Sequence, residues 1–351
     1  MNDYDRKAWD AVQEARRKRE ARSPRHLLPK SARHRMAAAG AAARDRVGSM
    51  PGADEFGRAM AHAVEGLVGT VTRAGESTLR KTSVVSAFQQ DGHQHVERVR
   101  DIRKLELEQI DDVKPALDLR YAAWGLSTGA TAGAAVTTTQ AAAAAGTVAS
   151  GGLATAPAAA VVVTAISADA AAVLGGTSRL IAQTAAYYGY DVDRPEERIY
   201  ALGVMGYCMS GQGAKNAAYV ELTKLSQALA RNATWKQLNQ SQVTQIIQAV
   251  FHRLGIRLTK KKLGQAVPVV SVVIGAGMNA ASLMNAATDA DLLYRERFLR
   301  EKYDLPPAHV PQADDARRQP EDQDDHLSVL AILEDETADA RAVEDADLSV
   351  R

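Results

Sequence analysis

The sequence predicts an all-α protein, a multi-helix bundle around a Gly/Ala-rich helical hairpin, with disordered termini. Two long stretches without charge support this prediction. Residues 121–168 and 264–288 contain no Asp, Glu, Lys, Arg or His, so each must be buried in a core, a partner or a membrane. No stretch of any length alternates apolar and polar residues as a half-buried strand does.

Charge divides the 351-residue chain into three parts. Residues 16–46 carry eleven Lys and Arg against two acidic residues, whereas residues 311–351 carry thirteen acidic residues against four Arg. We therefore expect a basic N-terminal helix and flexible arm (1–52), a helical domain (53–305) and an acidic disordered tail (306–351).

Helical spacing of apolar residues predicts the elements on either side of the hairpin. Ahead of it, we expect helices over 4–21, 53–71 and about 93–110. After it, we expect helices over about 195–209, 214–230, 241–254 and 259–300. Asp193, with Glu196 three residues later, predicts a capping box at the start of the first helix after the hairpin.

The hairpin itself has two arms of about 45 Å each, at roughly 1.5 Å per residue. The first arm is expected over residues 115–150 and the second over about 157–188. A Gly-Gly pair at 151–152 separates them.

Glycines at four-residue spacing mark the first arm as a close-packing surface. Gly125, Gly129 and Gly133 form a glycine zipper, which allows a neighbouring helix to approach with its backbone very near. We expect that neighbour to be the second charge-free stretch, where Gly275 and Gly277 notch the last long helix.

Three consecutive lysines follow Thr259. If Thr259 is an N-cap, Lys260, Lys261 and Lys262 lie in a first helical turn, where each opposes the helix dipole by about 0.3–1 kcal/mol. Together with Arg257 they are candidates for holding an anion such as a phospholipid headgroup. The alternatives are pairing with protein carboxylates and simple solvation.

Asp169 is the lone acid of the second hairpin arm's apolar half. A buried carboxylate must be paired, protonated or solvated, and Arg257 or one of the three lysines is a candidate partner. The interpretation as an ion- or proton-handling group and the interpretation as a structural ion pair both remain open.

Known cofactor and metal motifs are incomplete. The glycines at 275 and 277 follow an apolar run, as in a dinucleotide-binding turn, but no strand–helix–strand unit surrounds them. The histidines show no ligand spacing, and the single cysteine, Cys208, excludes an intrachain disulfide and a cysteine-based zinc cluster. We therefore expect no catalytic residues, no cofactor and no metal.

The location expected from the sequence is cytoplasmic, with peripheral membrane association. The first ten residues carry charges where a secretion signal requires an apolar region. Residues 263–284 are long enough to cross a bilayer, but a proline, an asparagine and three glycines weaken them. Whether any helix spans the membrane is left open.

Three stretches resemble a known family: YYGYDVDRPEERIYALGV (187–204), LGIRLTKKKLGQAVPVVSVVIGAGMNAA (254–281) and RERFLREKYDLP (295–306). They are similar to the EcsC family of bacterial proteins, over roughly residues 55–305. The resemblance implies a helical, membrane-associated protein and supplies no catalytic residues.

Our first functional hypothesis is a non-enzymatic, membrane-associated protein that binds anionic lipid or a membrane protein partner. One alternative is a small-molecule or lipid-processing enzyme or receptor with a site near Asp169 and Lys261. Another is a cytoplasmic adaptor that contacts a protein through its charged termini. Nucleic acid is not expected, because the basic arm has no interleaved aromatic residues. The oligomeric state is left open.

Overall fold

The computed structural model describes residues 1–20, 81–126, 155–211, 214–231, 240–265, 271–306 and 328–334. These residues form helices joined by turns, and none of them lies in a β-strand. The all-α prediction is therefore confirmed.

The described helices are named in chain order. They are α1 (Asp3–Glu20), α2 (Lys81–Gln90), a 3₁₀ helix (Val99–Lys104), α3 (Leu107–Val113), α4 (117–126), α5 (Thr155–Tyr187), α6 (Pro195–Met209), α7 (Lys215–Arg231), α8 (Gln240–Gln265), α9 (Ser271–Lys302) and α10 (329–334). The first hairpin arm is thus described only as far as residue 126, and the second arm matches α5.

Helices α5 and α9 form the centre of the bundle and run in the same direction. Gly176 of α5 and Ala280 of α9 lie at one level, because both contact the same turn of α4. Further along, the hydroxyl of Tyr188, just after α5, donates a hydrogen bond of 2.8 Å to Asp291 of α9. Helix α6 packs on both central helices, α8 packs on α5 and α6, and α7 packs on α6.

Helix α1 crosses α9 and also contacts α3 and α7. The sequence predicted this helix over residues 4–21, and the structure has it at Asp3–Glu20. In the structure Asp5 is fully buried, and its carboxylate accepts hydrogen bonds from Lys302 Nζ (2.9 Å) and Tyr303 Oη (2.6 Å). The N-terminal helix is therefore held against the C-terminal end of α9.

The predicted cap of α6 is wrong by one residue. The N-cap is Arg194, which makes no side-chain capping bond, and Pro195 occupies the first helical position. The Asp193 amide donates to the Asp191 carboxylate (3.1 Å), so these residues form a turn ahead of the helix. The proline then sets the helix start, since its fixed φ suits the first turn.

The single helix predicted over 93–110 is also wrong. A 3₁₀ helix begins after Arg98, whose amide donates to the Asp101 side chain (3.0 Å), and α3 begins after Glu106, whose amide donates to the Gln109 side chain (2.9 Å). The expected apolar stripe is nevertheless buried, as Ile102 and Leu105 show. Local capping therefore divides the segment while its buried side stays the same.

Thr259 is not an N-cap. Helix α8 runs without a break from Gln240 to Gln265, so Lys260, Lys261 and Lys262 belong to its last turns. Positive charge near a helix C-terminus is favourable to the helix dipole, so the predicted electrostatic penalty disappears. The last long helix begins instead at Ser271.

The short helix α10 packs on the rest of the chain. Val329, Ile332 and Leu333 are buried in the main core. The hydroxyl of Ser328 donates to Glu221 of α7 (2.8 Å) and accepts from the Ala331 amide (3.1 Å), so Ser328 caps the helix. Residues 328–334 therefore fold against this same chain, within the segment 306–351 that the sequence predicts to be an acidic disordered tail.

Among the described residues, no helix is both long enough and apolar enough to cross a membrane. The best candidate in the sequence, residues 263–284, is divided between the end of α8 and the start of α9.

Candidate functional site: a cleft between α6, α7 and α9

The C-terminal half of α9 carries charged side chains on several faces, and most of them pair with another element. This half of the helix is the floor and one wall of a cleft whose other walls are α6 and α7. These ion pairs decide which charges remain available to a ligand.

Arg297 joins α9 to α6. It donates two hydrogen bonds to the carboxylate of Glu197, at 2.6 and 2.8 Å, and a third to Glu301 at 2.8 Å. Its guanidinium lies 4.2 Å from the ring centroids of both Tyr190 and Tyr200. All three nitrogens are therefore used within the protein.

Asp289 joins α9 to α7 and α1. Its two oxygens accept from Lys215 Nζ (2.7 Å) and Arg19 Nε (2.8 Å), and the side chains of Asp289 and Lys215 are only 5% and 6% exposed. The nearby Cys208 thiol has its pKa raised, first by burial and second by the charge of Asp289. A thiol that stays protonated is a poor nucleophile, so this cluster serves structure.

Glu296 lies on the floor of the cleft. One carboxylate oxygen accepts from the Tyr219 hydroxyl (2.8 Å) and from two nitrogens of Arg300 (2.7 and 3.1 Å). Burial, and then the charge of Glu296, raises the pKa of Tyr219 to about 12. Tyr219 is therefore a hydrogen-bond donor at neutral pH and not a base.

The cleft has a volume of about 400 Å³. Leucine side chains and the ring of Tyr200 provide its apolar surface, and Ser226 and Gln227 add polar groups. This volume lies within the range of about 300–1,000 Å³ that is usual for small-molecule sites.

Two charged side chains at the cleft differ from the rest. Arg231 ends α7 and Asp304 follows α9; both are exposed, and neither forms an ion pair with any residue that the structure describes. Asp304 has a φ of 48°, the left-handed conformation that ends many helices and that Asp tolerates. This turn places Leu305 in the cleft wall.

The sequence-predicted anion-binding residues belong to α8, a helix from which no described residue lines the cleft. Arg257, Lys260, Lys261 and Lys262 belong to the backbone of α8, but their side chains lie outside the described residues. The same holds for Asp169 in α5, so its partner remains a prediction.

Of the predicted packing glycines, Gly125 is the one with described surroundings. A Cβ at this position would lie 2.9 Å from both Cα and N of Ala280, so α4 approaches the backbone of α9 directly. Gly129 and Gly133 lie outside the described residues, as do the surroundings of Gly275 and Gly277 within α9. The contact with the second charge-free stretch is thus present at Gly125, and the full zipper stays a prediction.

Within the described ranges, no group of three His, Cys, Asp or Glu side chains is arranged to hold a metal ion. The sequence did not single out Arg231 or Asp304. Each is a charged residue at the end of a helix, which can be recognised in the sequence. That both residues line the same cleft becomes clear only from the fold.

Comparison with known proteins gives one family and one curated relative. The family model of the EcsC protein family matches residues 16–299. The uncharacterized protein YdbA of Bacillus subtilis (strain 168) is 27% identical over 235 residues, which are 66% of this chain and 74% of the relative. No solved structure matches. Since the family model covers most of the sequence, including all three stretches that carried the resemblance up to residue 299, the chain belongs to the EcsC protein family.

Proposed function

We propose that this protein is a non-enzymatic, peripheral membrane protein that binds anionic lipid through the end of the bundle where α4 meets α9. One observation carries the proposal. Six large apolar side chains are exposed among the described residues, and four of them (Leu119, Trp124, Leu126 and Met284) lie on α4 or on the turn of α9 that α4 contacts.

The position and the type of the exposed apolar residues both favour contact with a lipid surface. Leu119 and Leu126 are 67% and 49% exposed and lie seven residues apart, on one face of α4. Trp124 is 39% exposed on another side of the same short helix, and Trp together with Leu is typical of surfaces that enter the headgroup region. Exposed apolar side chains grouped in this way are costly in water and usually mark an interaction site.

The helix that precedes α9 in the sequence carries positive charge near its end. Lys260, Lys261 and Lys262 lie in the last turns of α8, and five residues separate the end of α8 from the start of α9. Ala280, the contact of Gly125, lies nine residues into α9, or about 14 Å along its axis. Basic residues beside an apolar surface add roughly 1 kcal/mol each to binding of anionic lipid.

Co-sedimentation with lipid vesicles tests the proposal. The full chain is expected to sediment with vesicles of phosphatidylglycerol and phosphatidylcholine, less at high salt, and weakly with phosphatidylcholine alone. Changing Leu119 and Leu126 to Ser is expected to reduce binding several-fold, because both side chains are exposed and their loss leaves the fold intact. A chain that remains in the supernatant with anionic vesicles contradicts the proposal.

The lysines are tested separately. Changing Lys260, Lys261 and Lys262 to Gln together is expected to weaken binding and to reduce its salt dependence. The matched control changes three exposed cations of α1, Arg6, Lys7 and Lys18, to Gln, and this variant is expected to bind almost like wild type. Equal losses in both triple variants mean that net charge, and not this surface, controls binding.

A further inference from the structure

We propose that the cleft between α6, α7 and α9 binds a small zwitterion with an apolar body, of the size of a short apolar peptide with free termini. This inference does not depend on membrane binding. The cleft residue Glu296 lies twelve residues beyond Met284 on α9, which is about 18 Å along the helix axis from the proposed lipid surface.

The charges on the cleft floor are already satisfied. Glu296 accepts from Tyr219 and Arg300, and Arg297 donates to Glu197 and to Glu301. These bonds hold the floor in one conformation and leave it neutral, since each cation there faces a carboxylate. A ligand therefore meets a preformed surface and gains little from the floor charges.

Arg231 and Asp304 are the charges that remain. They have opposite sign, belong to different walls, and form no ion pair with each other or with another described residue. A ligand with a single charge would form an ion pair on one wall and would leave the charge on the other wall without a partner. A ligand with a carboxylate or phosphate at one end and an ammonium at the other satisfies both, which is why the geometry points to a zwitterion.

The cleft lining between Arg231 and Asp304 determines which chemical groups the middle part of the ligand carries. Leu222, Leu293 and Leu305 line the cleft, so an apolar segment is removed from water there. Ser226 and Gln227 add hydrogen-bonding groups of the kind that a peptide unit uses. The volume of about 400 Å³ suits a molecule of two or three residues and excludes a folded partner.

Calorimetric titration of the full chain provides the test, with leucyl-leucine as the probe. N-acetyl-leucyl-leucine amide has the same apolar body without either charge and is expected to bind at least tenfold more weakly. A second arm uses a short-chain phosphatidylethanolamine below its micelle concentration, because an ethanolamine headgroup is also a zwitterion. Saturable binding in either arm supports the proposal and identifies the source of the zwitterion; its absence in both overturns it.

Two variants connect binding to the cleft. Arg231→Gln and Asp304→Asn are each expected to weaken binding of leucyl-leucine about threefold to fivefold, as for an exposed ion pair. Asparagine tolerates the left-handed conformation of residue 304, so the helix end is kept. The matched controls Arg6→Gln and Asp112→Asn, both exposed and outside the cleft, are expected to bind like wild type. Unchanged binding in both cleft variants, or equal binding of the capped peptide, overturns the proposal.

Discussion

Arg297 and Glu197 form a two-bond ion pair, at 2.6 and 2.8 Å, between residues that are 100 positions apart in the sequence. Glu197 belongs to the PEER stretch at the start of α6, and Arg297 belongs to the RERF stretch near the end of α9. Both stretches carried the resemblance to the EcsC family. Their contact shows that the two motifs form one structural joint, which fixes α6 against α9.

We predict that Glu197→Gln lowers the free energy of unfolding by about 3 kcal/mol, the lower end of the range for breaking a buried pair. The lower end applies because Arg297 keeps its bond to Glu301. Chemical denaturation measures the change. The control is Glu196→Gln, whose partner Arg194 is 59% exposed, so its loss should be about 0–1 kcal/mol. Equal denaturation midpoints for the two variants would falsify a stabilising role for the pair.

The buried cluster at Asp289 predicts unequal losses for its members. Asp289→Asn leaves Lys215 and Arg19 facing each other without their carboxylate, and we expect about 3–5 kcal/mol of destabilisation. Arg19→Gln leaves the bond between Lys215 and Asp289 intact, so we expect about 1–2 kcal/mol. Both values come from urea unfolding. A larger loss in the arginine variant than in the aspartate variant contradicts this account.

The close approach of α4 to α9 predicts a contrast between two glycines. Gly125→Ala places a methyl group 2.9 Å from backbone atoms of Ala280, which cannot move aside, and should destabilise by about 1–3 kcal/mol. At Gly203 the added methyl meets the ends of the Leu222 and Leu225 side chains, which can rotate away.

Thermal unfolding of both alanine variants tests this contrast. The gain in helix propensity, about 1 kcal/mol, is common to both and cancels in the comparison. Gly203→Ala should therefore unfold at a clearly higher temperature than Gly125→Ala. The reverse order means that the helix contact at Ala280 is looser than its geometry indicates.

Helix ends set by local chemistry were predictable from the sequence, and ends set by packing were not. The bounds of α6 and α7 agree with prediction to within a residue or two, because Pro195 and the glycine at 211 act on their own neighbours. Thr259 is a good capping residue in a sequence, yet α8 passes through it to Gln265. Continuation of the helix therefore outweighs a capping preference of about 1 kcal/mol at this position.

The cleft was beyond sequence reasoning for a different reason. Arg231 and Asp304 lie 73 positions apart, at the ends of separate helices, and single charged residues at helix ends are common on any surface. These two residues stand out only because Glu296 is paired with Arg300 and Arg297 is paired with Glu197. The paired charges are not available to a ligand. These pairs depend on how three helices are oriented relative to one another. The spacing of residues within one helix does not specify that orientation.

The buried tyrosines predict loss of stability at alkaline pH. Burial first, and then the charge of Glu296, raises the pKa of Tyr219 to about 12, while an unfolded tyrosine has a pKa of about 10. Above about pH 10 the unfolded chain releases this proton and the folded chain retains it, so unfolding becomes more favourable as pH rises. The stabilisation is complete below pH 10 and is lost as the pH passes through the folded value. Tyr200 changes in the same direction for the same first cause.

Denaturant unfolding between about pH 9 and about pH 11 tests this dependence, with Tyr219→Phe as the comparison. Each tyrosine with a raised pKa contributes up to about 1.4 kcal/mol per pH unit to the slope. The phenylalanine variant lacks one such proton, so its free energy of unfolding should fall less steeply above pH 10, although it starts lower because Glu296 loses a hydrogen bond. Parallel slopes for the two proteins would mean that Tyr219 ionises in the folded state as readily as in the unfolded chain, and that its hydroxyl is open to water.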